Sequence, residues 1–223
     1  MIQLTLSPPS QAPIYSVTQN VKVDAIKSST EYALKNMNRA MMFQDRRELW
    51  KFCALESKKI IDAHIVLEFG VWKGESINYF AELLPHLQIF GFDSFKGLEE
   101  NWTGTNLSKE HFTLNGAVPK HSKNVTLICG WFEETLPNFV KSIQNEKIKI
   151  LHMDADTYKP TKYVLRMLSG NLFQGSIIIF DEYFGYPNWK SHEFLAFQEF
   201  VTENKLDYEY LAYGDNQVAV KLL

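Results

Sequence analysis

Cysteine, net charge and long apolar runs are all scarce in this sequence. Its two cysteines, Cys53 and Cys129, lie in apolar contexts without Cys-x-x-Cys spacing, which predicts two reduced thiols rather than a disulfide or metal site. A net charge of −3 gives no electrostatic argument for nucleic acid or an anionic membrane as the main partner. No apolar stretch approaches the roughly 18 residues that a membrane helix needs. Because the N-terminus also lacks the basic start and apolar core of a signal peptide, we expect a soluble, cytoplasmic protein.

The composition nevertheless provides for a sizeable core. Of the 223 residues, 45% are hydrophobic and 14% aromatic, which excludes a wholly disordered chain and suits one α/β domain. Residues 1–25 contain three prolines and little periodicity, so we expect a flexible arm or a lid over the active site. Residues 26–60 have a helical pattern and predict an N-terminal helical segment that packs on the core.

Two apolar, isoleucine-rich runs in the second half of the chain end in acids. The run from Ile148 leads to Asp154 and Asp156, and the run Ser176–Phe180 leads to Asp181 and Glu182. With a helical pattern between them, the runs predict two buried parallel strands joined by a crossover helix. Ligands bind at the carboxyl edge of such sheets, although an acid there can also cap the next helix. Clustered carboxylates raise one another's pKa, so the group itself suggests a divalent cation.

A strand, a glycine turn and a helix follow one another directly earlier in the chain. Ile65–Phe69 leads into Gly70 and Gly74, and this arrangement lets the backbone approach a ligand at a helix N-terminus. The Gly-x-x-x-Gly spacing is not that of dinucleotide cofactors, which disfavours a nicotinamide dehydrogenase. A second strand ends in Asp93, about twenty residues beyond the turn, where an acid can bind ribose hydroxyls. The alternative for Asp93 is a capping or turn residue.

The remaining segments complete an alternating pattern. Residues 97–122 predict a long irregular loop, a candidate to cover the substrate. A third strand, Val125–Cys129, precedes Trp131 and Phe132, either of which could stack on adenine or lie in the core. The chain ends in a helix and two strand-like runs around a turn at Gly214, which predict an antiparallel hairpin.

This layout resembles the class I S-adenosylmethionine (SAM) methyltransferases. Five motifs resemble more closely, in order and spacing, the macrocin O-methyltransferase-like (TylF-type) family: Glu68–Ser76, Gly91–Phe95, Gly130–Pro137, Asp154–Tyr158 and Phe180–Tyr183. Members of that family methylate sugar hydroxyls and use a divalent metal. The resemblance implies a Rossmann-like, three-layer α/β/α fold whose seven-stranded, mostly parallel sheet has the order 3-2-1-4-5-7-6, with strand 7 antiparallel. It also implies that residues 61–223 form the SAM-binding methyltransferase domain.

The resemblance further implies a role for each candidate site residue. It implies Asp156 as the general base. The implied ligands of Mg²⁺, or of a similar divalent cation, are Asp154, Asp181 and Glu182. The implied SAM-binding residues are Glu68, Gly70, Gly74, Ser76, Asp93, Ser94, Gly130, Trp131, Phe132 and Asp154. Tyr158, Trp189 and His192 are candidates for contact with the acceptor. The family usually has Asp-Asp where this chain has Asp181-Glu182, and glutamate is also a competent oxygen ligand. We expect His152, inside a buried strand, to be a core histidine.

Three functions remain open from the sequence. The first is a metal-dependent SAM O-methyltransferase acting on a sugar-like or other polyhydroxylated small molecule, whose hydroxyl binds the metal. The second has the same fold but methylates a catechol-like phenol, which is more acidic and needs less help from a base. The third is a non-catalytic SAM-binding protein, which an intact set of four acids argues against. We expect no nucleic-acid or membrane partner, and the N-terminal helices could serve a homo-oligomer contact.

Overall fold

A mixed sheet of eight strands carries helices on both of its faces in the computed structural model, which describes residues 16–223. The strands are β1 (Met41–Met42), β2 (Ile65–Phe69), β3 (Gln88–Asp93), β4 (Val125–Cys129), β5 (Ile148–Met153), β6 (Ile177–Phe180), β7 (Tyr208–Tyr213) and β8 (Val218–Leu222). The helices are α1 (Val17–Asn36), α2 (Arg46–Ser57), α3 (Glu75–Leu83), α4 (Phe132–Ser142), α5 (Tyr158–Leu168) and α6 (Glu193–Asn204). As predicted, residues 97–122 contain neither a helix nor a strand.

The strand order confirms the predicted fold. Neighbouring strands follow the order β1-β7-β8-β6-β5-β2-β3-β4. Read from β4 and without β1, this is the order 3-2-1-4-5-7-6, and β8 is antiparallel to both β6 and β7. The parallel pairs β2–β3, β2–β5 and β5–β6 bring their carboxyl ends to one edge, as we expected for the acid-bearing strands.

Side-chain alternation along the strands divides the core between the two faces. In β2, Leu67 and Phe69 pack in the apolar cluster that includes α4, α5, α6 and part of α1. Val66, which points to the opposite face, packs in the cluster that includes α2 and α3. Because both faces are covered, the central strands are apolar almost throughout, which is why the sequence shows continuous runs there. Glu68 and His152 are fully buried exceptions on these strands.

The eighth strand, β1, was not predicted. Its two residues pair in parallel with the end of β7, Met41 with Ala212 and Met42 with Tyr213. The Phe43 amide then donates to the Tyr213 carbonyl at 2.9 Å. Two residues are too few to show a periodic pattern, so only tertiary pairing defines this strand. It fixes the segment that leads into α2 beside the turn between β7 and β8.

The first helix begins earlier than the predicted arm allows. Ser16 caps α1 by accepting from the Gln19 amide, and the Gln19 side chain accepts from the Ser16 amide in return. Residues 17–25 are therefore helical, which corrects that part of the predicted arm; residues 1–15 lie outside the described residues. Near the other end of α1, the hydroxyls of Tyr32 and Tyr210 are hydrogen-bonded at 2.6 Å and join the helix to β7.

Within residues 16–223, no helix is both long and apolar enough to cross a membrane. Cys53 and Cys129 are free thiols, as the sequence predicted.

The start of α2 depends on one capping side chain. Asp45 accepts from the Arg47 amide at 2.7 Å and the Glu48 amide at 3.3 Å. Replacing Asp45 with Ala leaves both donors without this acceptor, so we expect the free energy of unfolding to fall by about 1 kcal/mol in urea denaturation. Asp45→Asn retains an oxygen acceptor and should lose much less. An equal loss in both variants would contradict a capping role.

Candidate functional site

The carboxyl ends of the parallel strands open into a cleft of about 950 Å³, part of which is open to solvent. The predicted site residues that line it are Gly70, Asp93, Ser94, Trp131, Phe132, Asp154, Asp156, Asp181 and Glu182. We call it the donor cleft, because most of its predicted lining residues are those implied for SAM.

The other residues predicted for SAM lie behind the wall of this cleft. Glu68 is fully buried and accepts from the Ser76 hydroxyl at 2.9 Å. Gly74 is the N-cap of α3 and has a left-handed backbone, with φ of 79°. The Gly130 amide donates to the Asp93 carbonyl at 3.0 Å. These four residues therefore support the loops of the cleft rather than line it.

The residues predicted to contact the acceptor also have partners outside the donor cleft. The Tyr158 hydroxyl donates to Glu199 at 2.6 Å. The Trp189 indole donates to the Ser28 hydroxyl at 3.0 Å beneath α1, and Trp189 is buried. His192 Nε2 lies 3.1 Å from the Thr103 carbonyl. In the part of the chain that the structure describes, none of the three lines this cleft.

Asp93 holds the glycine turn in place. Its Oδ2 accepts from the amides of Val71 at 2.8 Å and Trp72 at 2.7 Å, and its Oδ1 accepts from the Phe95 amide at 2.6 Å. Gly70, with φ of 91°, lies so close to the Asp154 carbonyl that a Cβ there would collide with it. Asp93 thus has the role of a turn residue, which was the alternative interpretation of this position, and it also lines the cleft. A role in ribose binding stays a prediction.

Three carboxylates form a compact group in the wall of the donor cleft. Asp154, Asp156 and Glu182 each offer an oxygen within 4.8 Å of the others. This acid group shares Asp154 and Glu182 with the predicted metal ligands but contains Asp156 in place of Asp181. Glu182 Oε2 is buried without a hydrogen-bond partner among the described residues. Because an unpaired buried carboxylate is costly and hard divalent cations take oxygen ligands, the acid group fits a cation such as Mg²⁺.

Burial and neighbouring negative charge raise the pKa of every member of the acid group. Burial is the larger cause in each case, and the charge of Asp181 comes next. The pKa of Asp156 rises to about 8, and the pKa values of Asp154 and Glu182 rise well above their usual range. Asp156 also has a left-handed backbone, with φ of 61°. Non-glycine residues adopt this conformation at a cost, and such positions concentrate at functional sites.

Asp181 is held by partners of its own. Its Oδ1 accepts from the Gln217 side-chain amide and lies 3.5 Å from His152 Nε2, while His152 Nδ1 lies 2.9 Å from Glu68. Burial lowers the pKa of His152, but the carboxylates of Asp181 and Glu68 outweigh it and raise the pKa to about 10. Burial by itself raises the pKa of Asp181. The neighbouring groups, His152 first among them, together lower that pKa by a larger amount, so the pKa of Asp181 lies below its ordinary value. His152 is the buried histidine that we expected, and it neutralises an acid of the site.

Two charged residues of the site, Glu193 and Arg46, were not found from the sequence. Glu193, the first residue of α6, is buried and accepts from the amides of Ala155 at 3.3 Å and Glu182 at 3.1 Å. It therefore ties together the two loops that carry the acid group. Arg46 lines the donor cleft and is paired with Glu75 at 2.5 Å. In the sequence these two are charged residues at helix starts, and nothing local separates them from ordinary surface charges.

Comparisons with known proteins identify a family for this chain and solved structures that share its fold. The family described as a methyltransferase domain matches residues 67–183, more than half of the chain. The calicheamicin methyltransferase CalS11 has a TM-score of 0.65 and 20% identity, over 97% of this chain and 99% of that one. The O-methyltransferase NovP has a TM-score of 0.62 and 20% identity, over 79% of this chain and 78% of that one.

An apo structure of CalS11, described as a TDP-rhamnose 3′-O-methyltransferase, has a TM-score of 0.58 and 20% identity, over 96% of this chain and 99% of that one. At such identities these structures show a shared fold. No curated protein matches the sequence.

The raised pKa of Asp156 predicts a pH-dependent response to Mg²⁺. Because this pKa rises from 3.8 to about 8 on folding, the stability that it contributes without metal is complete below about pH 4 and is lost as the pH rises through about 8. A cation bound by the acid group would offset that loss. We therefore expect Mg²⁺ to raise Tm more at about pH 8.5 than at about pH 5.5, as measured by differential scanning fluorimetry.

Glu182→Gln is the matched control, since it retains the shape of the side chain without its charge. This variant should lose most of the Mg²⁺-dependent rise in Tm. A rise of equal size at both pH values that also persists in Glu182→Gln would show that the acid group holds no cation.

Proposed function

The chain belongs to the family of methyltransferase domains, and from this premise we propose that it transfers a methyl group from SAM to a hydroxyl of a sugar-like small molecule. The observation that carries the proposal is the acid group, Asp154, Asp156 and Glu182, in the wall of the cleft that also contains Gly70 and Asp93. A methyl donor bound against the glycine turn would therefore lie next to carboxylates able to bind a cation and accept a proton.

The donor cleft has the chemistry that SAM requires along its length. Trp131 and Phe132 offer aromatic faces for an adenine ring, and Asp93, which also lines the cleft, is our candidate to bind the ribose hydroxyls. Arg46 is the one cationic side chain in its wall among residues 16–223, so it is our candidate to pair with the carboxylate of the methionine part. Gly70 keeps the turn between these two ends close to the acid group.

Each acid of the site has a proposed role. Asp154 and Glu182, which belong both to the predicted ligands and to the acid group, would hold the divalent cation together with Asp181. The contacts of Asp181 with His152 and Gln217 are both made through Oδ1, which leaves Oδ2 for the cation. When bound, such a cation supplies a Lewis acid that makes a hydroxyl more acidic.

Asp156 is our proposed general base. A neutral hydroxyl is a poor nucleophile towards a sulfonium methyl group, so its proton must leave as the methyl group arrives. Burial brings the pKa of Asp156 to about 8 without a cation, and a cation on the neighbouring acids would lower it, so that the ionised form able to take a proton prevails near neutral pH. The side chain lies within the acid group, close to the place where the hydroxyl would have to be held.

Support for a sugar-like acceptor comes from the chemistry of the acids and from CalS11. Sugar hydroxyls are weakly acidic and gain most from a cation and a base acting together, which the proposed site would provide. CalS11 is described as acting on TDP-rhamnose, and we propose by analogy that this chain is of the macrocin O-methyltransferase-like type. A catechol-like phenol would make less use of Asp156. A protein that only binds SAM would have no use for the unpaired Glu182.

Calorimetry and turnover together test the proposal. We expect SAM to bind, and TDP-rhamnose, the first acceptor to try, to be methylated in the presence of Mg²⁺, with the product detected by mass spectrometry. EDTA should abolish turnover but leave SAM binding in place, because the cation serves the acceptor. A chain that does not bind SAM would refute the donor site. Turnover that EDTA leaves unchanged would make the acids structural.

Asp156→Asn separates the base from the metal ligands. Asn has the same shape but cannot take a proton, so kcat should fall by about 10²–10⁴-fold while Mg²⁺ still raises Tm. The matched variant Asp181→Asn should weaken both turnover and the Mg²⁺ effect, because a ligand is lost. A fall in kcat of less than about tenfold in Asp156→Asn would point to a more acidic, phenol-like acceptor or to another base.

A further inference from the structure

A second cavity of about 670 Å³, part of which is open to solvent, adjoins the donor cleft. Its wall combines Phe43 and Gln44, from the segment after β1, with Asp215, Asn216 and Gln217 of the turn between β7 and β8. Three residues line both cavities: Arg46, Asp181 and Glu182. Since β6 lies between β5 and β8 in the sheet, the two cavities lie side by side along the sheet edge and meet at the acids that follow β6.

We propose that this second cavity, the acceptor cavity, binds the polyhydroxylated substrate while the donor cleft holds SAM. The inference rests on the proposed function and adds to it the location of the acceptor. It differs from the expectation that residues 97–122 and the segment around Trp189 and His192 surround the acceptor.

The geometry of methyl transfer requires two approaches to the reacting carbon. The new carbon–oxygen bond forms as the carbon–sulfur bond breaks, and the electron pair of the broken bond stays on sulfur. The hydroxyl proton goes to Asp156, so that a neutral ether and a neutral thioether result. Because the oxygen enters on the side opposite to the sulfur, donor and acceptor must come from different sides. Two cavities that share Asp181 and Glu182 meet this requirement.

The wall of the acceptor cavity has the chemistry to bind hydroxyl groups. Amide and carboxylate side chains donate to and accept from hydroxyls, and Phe43 offers an apolar face to a sugar ring. Gln217 donates to Asp181 through Nε2, while its Oε1 is buried without a hydrogen-bond partner among the residues described. A substrate hydroxyl would satisfy such an oxygen, which otherwise costs free energy.

The long loop faces the donor instead. Its residues Gly97, Leu98, Glu99 and Phe112 line the donor cleft, and no residue of 97–122 lines the acceptor cavity within the described chain. The acceptor cavity depends on β1, because the pairing of β1 with β7 places Phe43 and Gln44 opposite the turn at Asp215. The unpredicted strand thus forms one side of the proposed acceptor site.

Filling the acceptor cavity tests the proposal. Asp215 is exposed, and its side chain makes no hydrogen bond with residues 16–223, so Asp215→Trp should fold and occupy the cavity. We expect its KM for TDP-rhamnose to rise by at least about tenfold, and SAM affinity by calorimetry to change by less than about twofold. Gln44→Trp, on the opposite wall, should do the same and serves if Asp215→Trp fails to fold. Asp207→Trp, at an exposed position directly before β7 that lines neither cavity, is the matched control and should leave both values unchanged.

The outcomes distinguish this inference from the proposed function. Wild-type turnover with an unchanged KM in Asp215→Trp and Gln44→Trp would overturn the acceptor cavity while leaving the methyltransferase assignment intact. Loss of SAM binding in both variants would overturn it as well, because the cavity would then belong to the donor. If the wild-type protein binds SAM but methylates neither TDP-rhamnose nor free rhamnose, the sugar acceptor fails and this inference fails with it.

Discussion

The burial of several carboxylates at one sheet edge is the constraint on which the rest of the structure depends. Burial raises the pKa values of Asp154, Asp156, Glu182 and Glu193, and their negative neighbours raise them further. Such a group is stable only if its members hold protons, pair with positive charge or bind a cation. The protein supplies a buried positive partner, His152, whose Nε2 lies 3.5 Å from Asp181, an acid outside the acid group. Bound protons or a cation must therefore balance the charge of the acid group.

The backbone fixes these acids in place before any ligand binds. Gly70 allows the turn after β2 to touch the loop that carries Asp154, and Glu193 accepts from both acid-bearing loops. Asp156 adopts a left-handed conformation that the surrounding contacts must maintain. Groups held in this way need little reorganisation when charge develops during a reaction, which is the usual source of catalytic electrostatics. The structural residues around the cleft thus contribute to the proposed chemistry without touching a substrate.

Features that depend on neighbouring residues could be predicted from the sequence, whereas features that depend on contacts between distant parts of the chain could not. Isoleucine-rich runs that end in acids predicted β5, β6 and the place of the four carboxylates, and the family match confirms a methyltransferase. The two-residue strand β1 pairs with β7 near the other end of the chain, so no local pattern marks it. The family resemblance implied which chain positions belong to the site, but not where their side chains point. Trp189, for example, is buried under α1 instead of lining the cleft. The exact membership of the acid group depends on loop conformation, which spacing in a sequence does not determine.

The antiparallel strands at one end of the sheet form part of the proposed site, which their hairpin pattern in the sequence did not suggest. A sheet that ended at β6 would leave Asp181 and Glu182 with a wall on one side only. Adding β8, β7 and β1 beyond β6 places a turn and a helix start on their other side, and with them Gln217 and Arg46. The acids at the end of β6 consequently face two cavities. Transfer between two molecules needs such a junction, and here the strand order itself provides it.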